Sequence, residues 1–128
     1  MNIKRFEDIE SWKKARELTN TVYEVTAVDS FRRDFGLKDQ IRRASVSILS
    51  NIAEGYERGG DKEFLRFLSI AKGSCGEVRS QLYIALDQAY LTRESFEQLS
   101  RSAEEISRLI SGLMRYLSSS EPSGRKYR

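Results

Sequence analysis

Apolar residues recur along this chain at spacings of three and four, and four such stretches occupy most of its length. Over residues 8–28, Ile9, Trp12, Ala15, Thr19, Val22 and Tyr23 share one face, with Asp8 placed as N-cap and Phe6 expected to pack across the start. A polar connection containing Asp29, Ser30, Asp34 and Gly36 leads to residues 37–58, whose stripe is Ile41, Ala44, Ile48, Ile52 and Gly55. Gly59-Gly60 ends this second helix, because glycine accepts the left-handed conformation that closes one. Asp61 caps a third stretch reaching about residue 90 through Phe64, Phe67, Leu68, Ala71, Cys75, Val78, Leu82, Ala85 and Ala89. The fourth, capped by Thr92, sets Phe96, Leu99, Ala103, Ile106, Ile110, Leu113 and Leu117 at strict a and d positions.

Helices this long joined by short connections predict an all-α fold, an antiparallel up-down-up-down four-helix bundle, over residues 1–120. Residues 121–128, which include the single proline Pro122 and the basic Arg125, Lys126 and Arg128, are expected to form a flexible basic tail. The hinge also predicts a register. With the pivot near residue 59 or 60, facing residues of helices two and three should have numbers summing to about 120. That sets Ile41 opposite Val78, Ile48 near Ala71 and Ile52 near Leu68. Beside this apolar contact runs a polar seam: Gln40, Arg43, Ser47, Asn51 and Glu54 on one helix, Ser74, Glu77 and Gln81 on the other, with Arg43 expected to pair with Glu77. Gly73 and Gly76, inside the third helix, suggest close approach of a neighbouring helix.

Leu109, Met114 and Tyr116 widen the apolar surface of the fourth helix, either as a broad core stripe or as an oligomer interface. Arg101, Arg108 and Arg115 repeat at one heptad position, a row along which a phosphate backbone could run. Glu97 and Glu104, four residues before the first two, offer the competing reading of ordinary surface ion pairs. Lys13, Lys14 and Arg42 are further phosphate-contact candidates. The net charge of +3 is weak support for nucleic acid, since residues 121–128 supply +2 of it. No aromatic-basic motif for reading splayed bases is evident.

The chain has no histidine, which removes the usual general base and most zinc sites. Its glycines form no phosphate-cradling motif. Glu54 and Glu77, the one conceivable acid/base pair, should lie well apart along an antiparallel hairpin. No catalytic residue, metal site or cofactor is therefore assigned, and the protein is expected not to be an enzyme. Cys75 is the sole cysteine and reads as a small buried hydrophobe. No stretch has the apolar run of a signal peptide or membrane span, so a cytoplasmic location is expected.

Several residues carry a resemblance. They are Phe6, Trp12 and Ala15; Gln40 with Arg42-Arg43-Ala44; Ser47-Ile48; the run Asn51-Ile52-Ala53-Glu54-Gly55; and then, in register, Lys62-Glu63-Phe64, Phe67-Leu68, Ala71, Gly73-Ser74, Glu77 and Gln81-Leu82. In these the chain resembles the four-helix-bundle proteins encoded in intervening sequences of bacterial 23S ribosomal RNA genes, relatives of the accessory proteins of diversity-generating retroelements. Leu49 departs from the pattern, standing where many relatives have proline. The resemblance implies a homo-oligomer, a pentamer in known relatives, and contact with nucleic acid or a reverse transcriptase. The function expected on these grounds is a non-enzymatic, oligomeric, nucleic-acid-associated protein binding structured RNA through phosphates. The alternative is a protein-interaction scaffold, such as an accessory subunit of a reverse transcriptase.

Overall fold

The computed structural model describes residues 3–119; the expected tail, with Arg125, Lys126 and Arg128, lies outside the described residues. Four α-helices and two short 3-10 turns account for the described chain, which contains no strand. The helices are α1 (Glu10–Thr26), α2 (Phe35–Glu57), α3 (Asp61–Asp87) and α4 (Arg93–Ser119). Each packs on its neighbour in sequence and α1 closes on α4, so the four stand at the corners of a bundle. The core is the set of stripes expected from periodicity: Ile41, Ile48 and Ile52 of α2, Leu68, Ala71 and Val78 of α3, and Ile106 and Ile110 of α4 are all fully buried.

Of the boundaries that differ from the periodic pattern, three have a local reason. α1 starts at Glu10 after Ile9, because Asp8 is engaged in the preceding 3-10 turn, where its carboxylate accepts from the Lys4 amide at 3.3 Å. Phe6 does pack across this start, edge-on to Trp12 with ring centroids 5.2 Å apart. α2 starts at Phe35, since the Asp34 carboxylate accepts from the Leu37 amide at 3.1 Å and caps the helix. α3 stops at Asp87 rather than near residue 90. There Ala89 turns left-handed at φ 62°, the Tyr90 amide donates to Ala85 O at 2.9 Å and the Ala89 amide to Leu86 O at 2.9 Å. This is a Schellman closure built on alanine instead of glycine, and it leaves Ala89 exposed rather than on the core stripe.

At the hinge Gly59 has φ +88°, and Gly60, extended, is the N-cap of α3 in place of the expected Asp61, which is the first residue of the helix. The Thr92 hydroxyl accepts from the Ser95 amide at 3.0 Å, making it the cap of α4 as expected. The connection between α1 and α2 is more than a polar linker. Its 3-10 turn, Asp29–Arg33, buries Phe31 completely, and Phe31 stacks on Tyr90 at 5.0 Å. Tyr90 in turn donates its hydroxyl to Asp34 at 2.9 Å. One carboxylate thus caps α2 and ties it to the end of α3, and this acceptor is the main reason the Tyr90 hydroxyl is pushed up from its ordinary pKa.

Candidate functional site

The contact between α2 and α3 follows the expected register. The Ser74 hydroxyl donates to Ser47 Oγ at 2.9 Å, and the Asn51 amide donates to Ser47 O at 2.8 Å and to Ser47 Oγ at 2.9 Å. These three side chains are the polar seam. Its expected charged members do not join it. Arg43 pairs with Asp39 at 2.9 Å, one turn back on its own helix, and not with Glu77. Both Arg43 and Glu77 face water, where a neighbour on the same helix is reached without drawing two long side chains across the groove. Glu54 bonds Arg58 at 2.8 Å, and Gln40 is exposed. Gln81 is half-buried, and its Oε1 has no hydrogen-bond partner among the described residues.

Close approach of α2 and α3 is made by Gly55, not by Gly73 or Gly76. A Cβ on Gly55 would lie 2.7 Å from Phe67 Cβ and 3.1 Å from Phe64 Cδ1, whereas Gly73 and Gly76 have nothing within 4 Å of that position. Those two glycines lie on an exposed outer face of α3 shared with Ile70 and Ile84. Cys75 is fully buried beneath the other face, and burial pushes its thiol up to about 12, so it is held neutral in the core.

The cationic candidates separate into engaged and free groups. Lys13 pairs with Glu10 at 3.4 Å, and Lys14 reaches Glu105 of α4 at 3.9 Å. Arg42 is held by the end of α1: its Nε donates to Thr26 Oγ1 at 2.8 Å, a terminal nitrogen donates to Tyr23 O at 3.3 Å, and its guanidinium lies 4.3 Å from the Tyr23 ring centroid. Tyr23 is accordingly exposed rather than in the core. Arg101, Arg108 and Arg115 are exposed and form no ion pair among the described residues. The glutamates that competed for the first two are committed elsewhere, Glu97 to Arg93 at 3.7 Å and Glu104 to Arg79 of α3 at 3.1 Å. A row of uncompensated guanidinium groups spaced roughly 10 Å apart therefore runs down the outside of α4.

Beside that row, α4 and the beginning of α1 enclose a cleft of about 420 Å³, walled by Ile3, Ile9, Leu109 and Leu113 with Asp8, Glu10 and Arg108 around it. Leu109 contributes to this cleft, whereas Met114 and Tyr116 are half-buried against the core. No three histidine, cysteine, aspartate or glutamate side chains converge among the described residues. No helix among them is long and apolar enough to cross a membrane.

A family model described as 23S rRNA-intervening sequence protein matches residues 7–112, which spans all four helices. The chain belongs to the 23S rRNA-intervening sequence protein family. Its fold is similar to the crystal structure of a protein of unknown function from the S23 ribosomal protein family of Bacteroides thetaiotaomicron, with a TM-score of 0.74 and 23% identity over 82% of this chain and 95% of that one. At that identity the likeness is one of fold. A search of curated proteins returns no match. The family match includes the Ser47–Asn51–Ser74 seam and Gly55, the elements that set the spacing of α2 and α3, as well as Arg101 and Arg108.

Proposed function

We propose that this member of the 23S rRNA-intervening sequence protein family is a non-enzymatic, oligomeric, RNA-associated protein that contacts structured RNA through its phosphates. The observation that carries the reading is the row Arg101, Arg108 and Arg115, whose charges no carboxylate among the described residues neutralises. Each phosphate neutralised by such a group releases a counterion, so the row supplies affinity without base discrimination. A protomer of +3 binds weakly on its own. In a closed homo-oligomer, expected to be a pentamer, the same row recurs around the assembly, and several weak sites act together through effective concentration.

The test is binding of a structured RNA over a salt series. Affinity should fall steeply with salt and vary little with sequence, and replacing the three arginines by alanine should reduce the slope by about one per arginine that contacts phosphate. Salt-insensitive binding, or none at low salt by the intact oligomer, removes the reading. A protein-interaction scaffold, such as an accessory subunit of a reverse transcriptase, then takes its place. That second reading is favoured by Ile70, Tyr83 and Ile84, large apolar side chains left exposed on α3.

A further inference from the structure

The end of the bundle where α1 finishes and α2 begins brings together what no contiguous motif contains, two exposed aromatic rings each faced by a cation. Phe35, the first residue of α2, is 72% exposed, and the Lys38 ammonium stands 5.1 Å from its ring centroid. One turn further on, Arg42 lies against the ring of Tyr23, itself 43% exposed. Phe35, Lys38 and Arg42 line one open hollow of about 450 Å³ together with Gly36 and Asp39.

The charges of the segment that carries this hollow are unevenly committed. Residues 29–43 hold five cationic and three acidic side chains. Asp39 is taken by Arg43, and Asp34 by the Leu37 amide and the Tyr90 hydroxyl. Arg32, Arg33, Lys38 and Arg42 form no ion pair among the described residues. Arg42 is also held in place, by its bonds to Thr26 Oγ1 and to Tyr23 O, a carbonyl in the last turn of α1 that accepts from the Thr26 hydroxyl as well. Single exposed apolar residues are ordinary on a protein surface. Two exposed rings at one end of the bundle, one faced by the Lys38 ammonium and the other by an Arg42 guanidinium that is hydrogen-bonded to α1 but paired with no carboxylate, make a different surface, one that suits a flat apolar group flanked by negative charge.

We propose that this end of the bundle is a subsite for single-stranded RNA, in which an unpaired base stacks on Phe35 and the neighbouring phosphates meet Lys38, Arg42, Arg32 and Arg33. The proposal rests on the RNA-associated reading above and gives it a second kind of contact. Every base has a π-face, so stacking of this kind tolerates any sequence. Bases inside a duplex are already stacked on one another and present edges rather than faces. Phe35 therefore distinguishes single strands from duplexes, while the arginine row of α4 serves both.

The experiment measures fluorescence anisotropy of the full chain with a labelled single-stranded RNA of about a dozen nucleotides and with a duplex RNA of the same length. Melting curves and light scattering are recorded for every variant. Phe35→Ala should weaken single-strand binding about tenfold and leave duplex binding nearly unchanged, and Phe35→Trp should restore it. Arg101, Arg108 and Arg115 replaced together by alanine should weaken both RNAs. If the wild-type chain binds but Phe35→Ala leaves single-strand affinity unchanged, the subsite is wrong and the phosphate reading stands. If Phe35→Ala lowers the mass of the assembly, the ring belongs to a contact between copies and the proposal is overturned. Failure of the wild-type chain to bind either RNA removes both.

Discussion

Gly55→Ala should destabilise the protein, even though the same substitution at Gly73 or Gly76 should stabilise it. All three glycines are helical, and in an open helix replacing glycine by alanine gains about 1 kcal/mol from reduced backbone entropy in the unfolded chain and better helix propensity. At Gly73 and Gly76 nothing lies within 4 Å of the new methyl, so that gain should be realised. At Gly55 the methyl meets Phe67 Cβ at 2.7 Å and Phe64 O at 3.4 Å. The first is about 1 Å short of an ordinary carbon–carbon contact. Neither atom can swing aside by a side-chain rotation, because one is main chain and the other is bonded directly to it. α3 must shift, and overpacking of this kind costs about 1–3 kcal/mol. Subtracting the propensity gain leaves a net loss of up to about 2 kcal/mol at Gly55, against a gain of about 1 kcal/mol at each of the other two. The assay is urea and thermal unfolding followed by circular dichroism at two protein concentrations, because the melting temperature of an oligomer moves with concentration. Each kcal/mol should appear as about 4 °C. A Gly55→Ala protein stabilised by about 1 kcal/mol, as expected for the other two, would refute the helix spacing argued here. Loss of stability in Gly73→Ala or Gly76→Ala would mean that the outer face of α3 is covered at close range in solution.

Three other substitutions examine separate parts of the bundle. Ala89→Gly should stabilise by about 1 kcal/mol, since it removes a side chain from a left-handed position that closes α3; a lower melting temperature would count against the Schellman closure. Asp34→Ala removes the cap of α2 and the acceptor for Tyr90 together, so it should cost about 2 kcal/mol, and a double-mutant cycle with Tyr90→Phe should show coupling rather than simple addition. Cys75 has its pKa raised from 9.0 to about 12 by burial, so its contribution is complete below pH 9 and is lost as pH rises toward the folded value. Wild type should therefore lose stability relative to Cys75→Ala above pH 9, by up to about 1.4 kcal/mol per pH unit; parallel pH profiles for the two proteins would contradict this.

What could be read from the chain alone is what depends on one helix at a time or on its connection to the next. The three-and-four spacing located the core stripes of α2, α3 and α4, because burying a helix face requires that period whatever it packs against. Gly59-Gly60 marked the hinge, and so short a link leaves little freedom in register, which is why Ser47 meets Ser74 within a residue of where the pivot places it. The tertiary structure decided what depends on the distance between elements. Gly55, Gly73 and Gly76 are alike in sequence, yet only Gly55 lies where a second helix leaves no room for a methyl. Arg43 had Asp39 and Glu77 both at plausible spacings, and surface pairs differ by so little energy that local reach selected Asp39. Ala89 gave no warning of a left-handed turn, since the bonds from Tyr90 and Ala89 back to α3 hold a conformation that alanine by itself avoids. The rings of Tyr23 and Phe35 come from different helices, and the fold alone sets them with Arg42 and Lys38 at one end of the bundle. A periodic pattern shows which face of a helix turns inward, but how near its neighbour stands is settled by the packing of all the side chains between them.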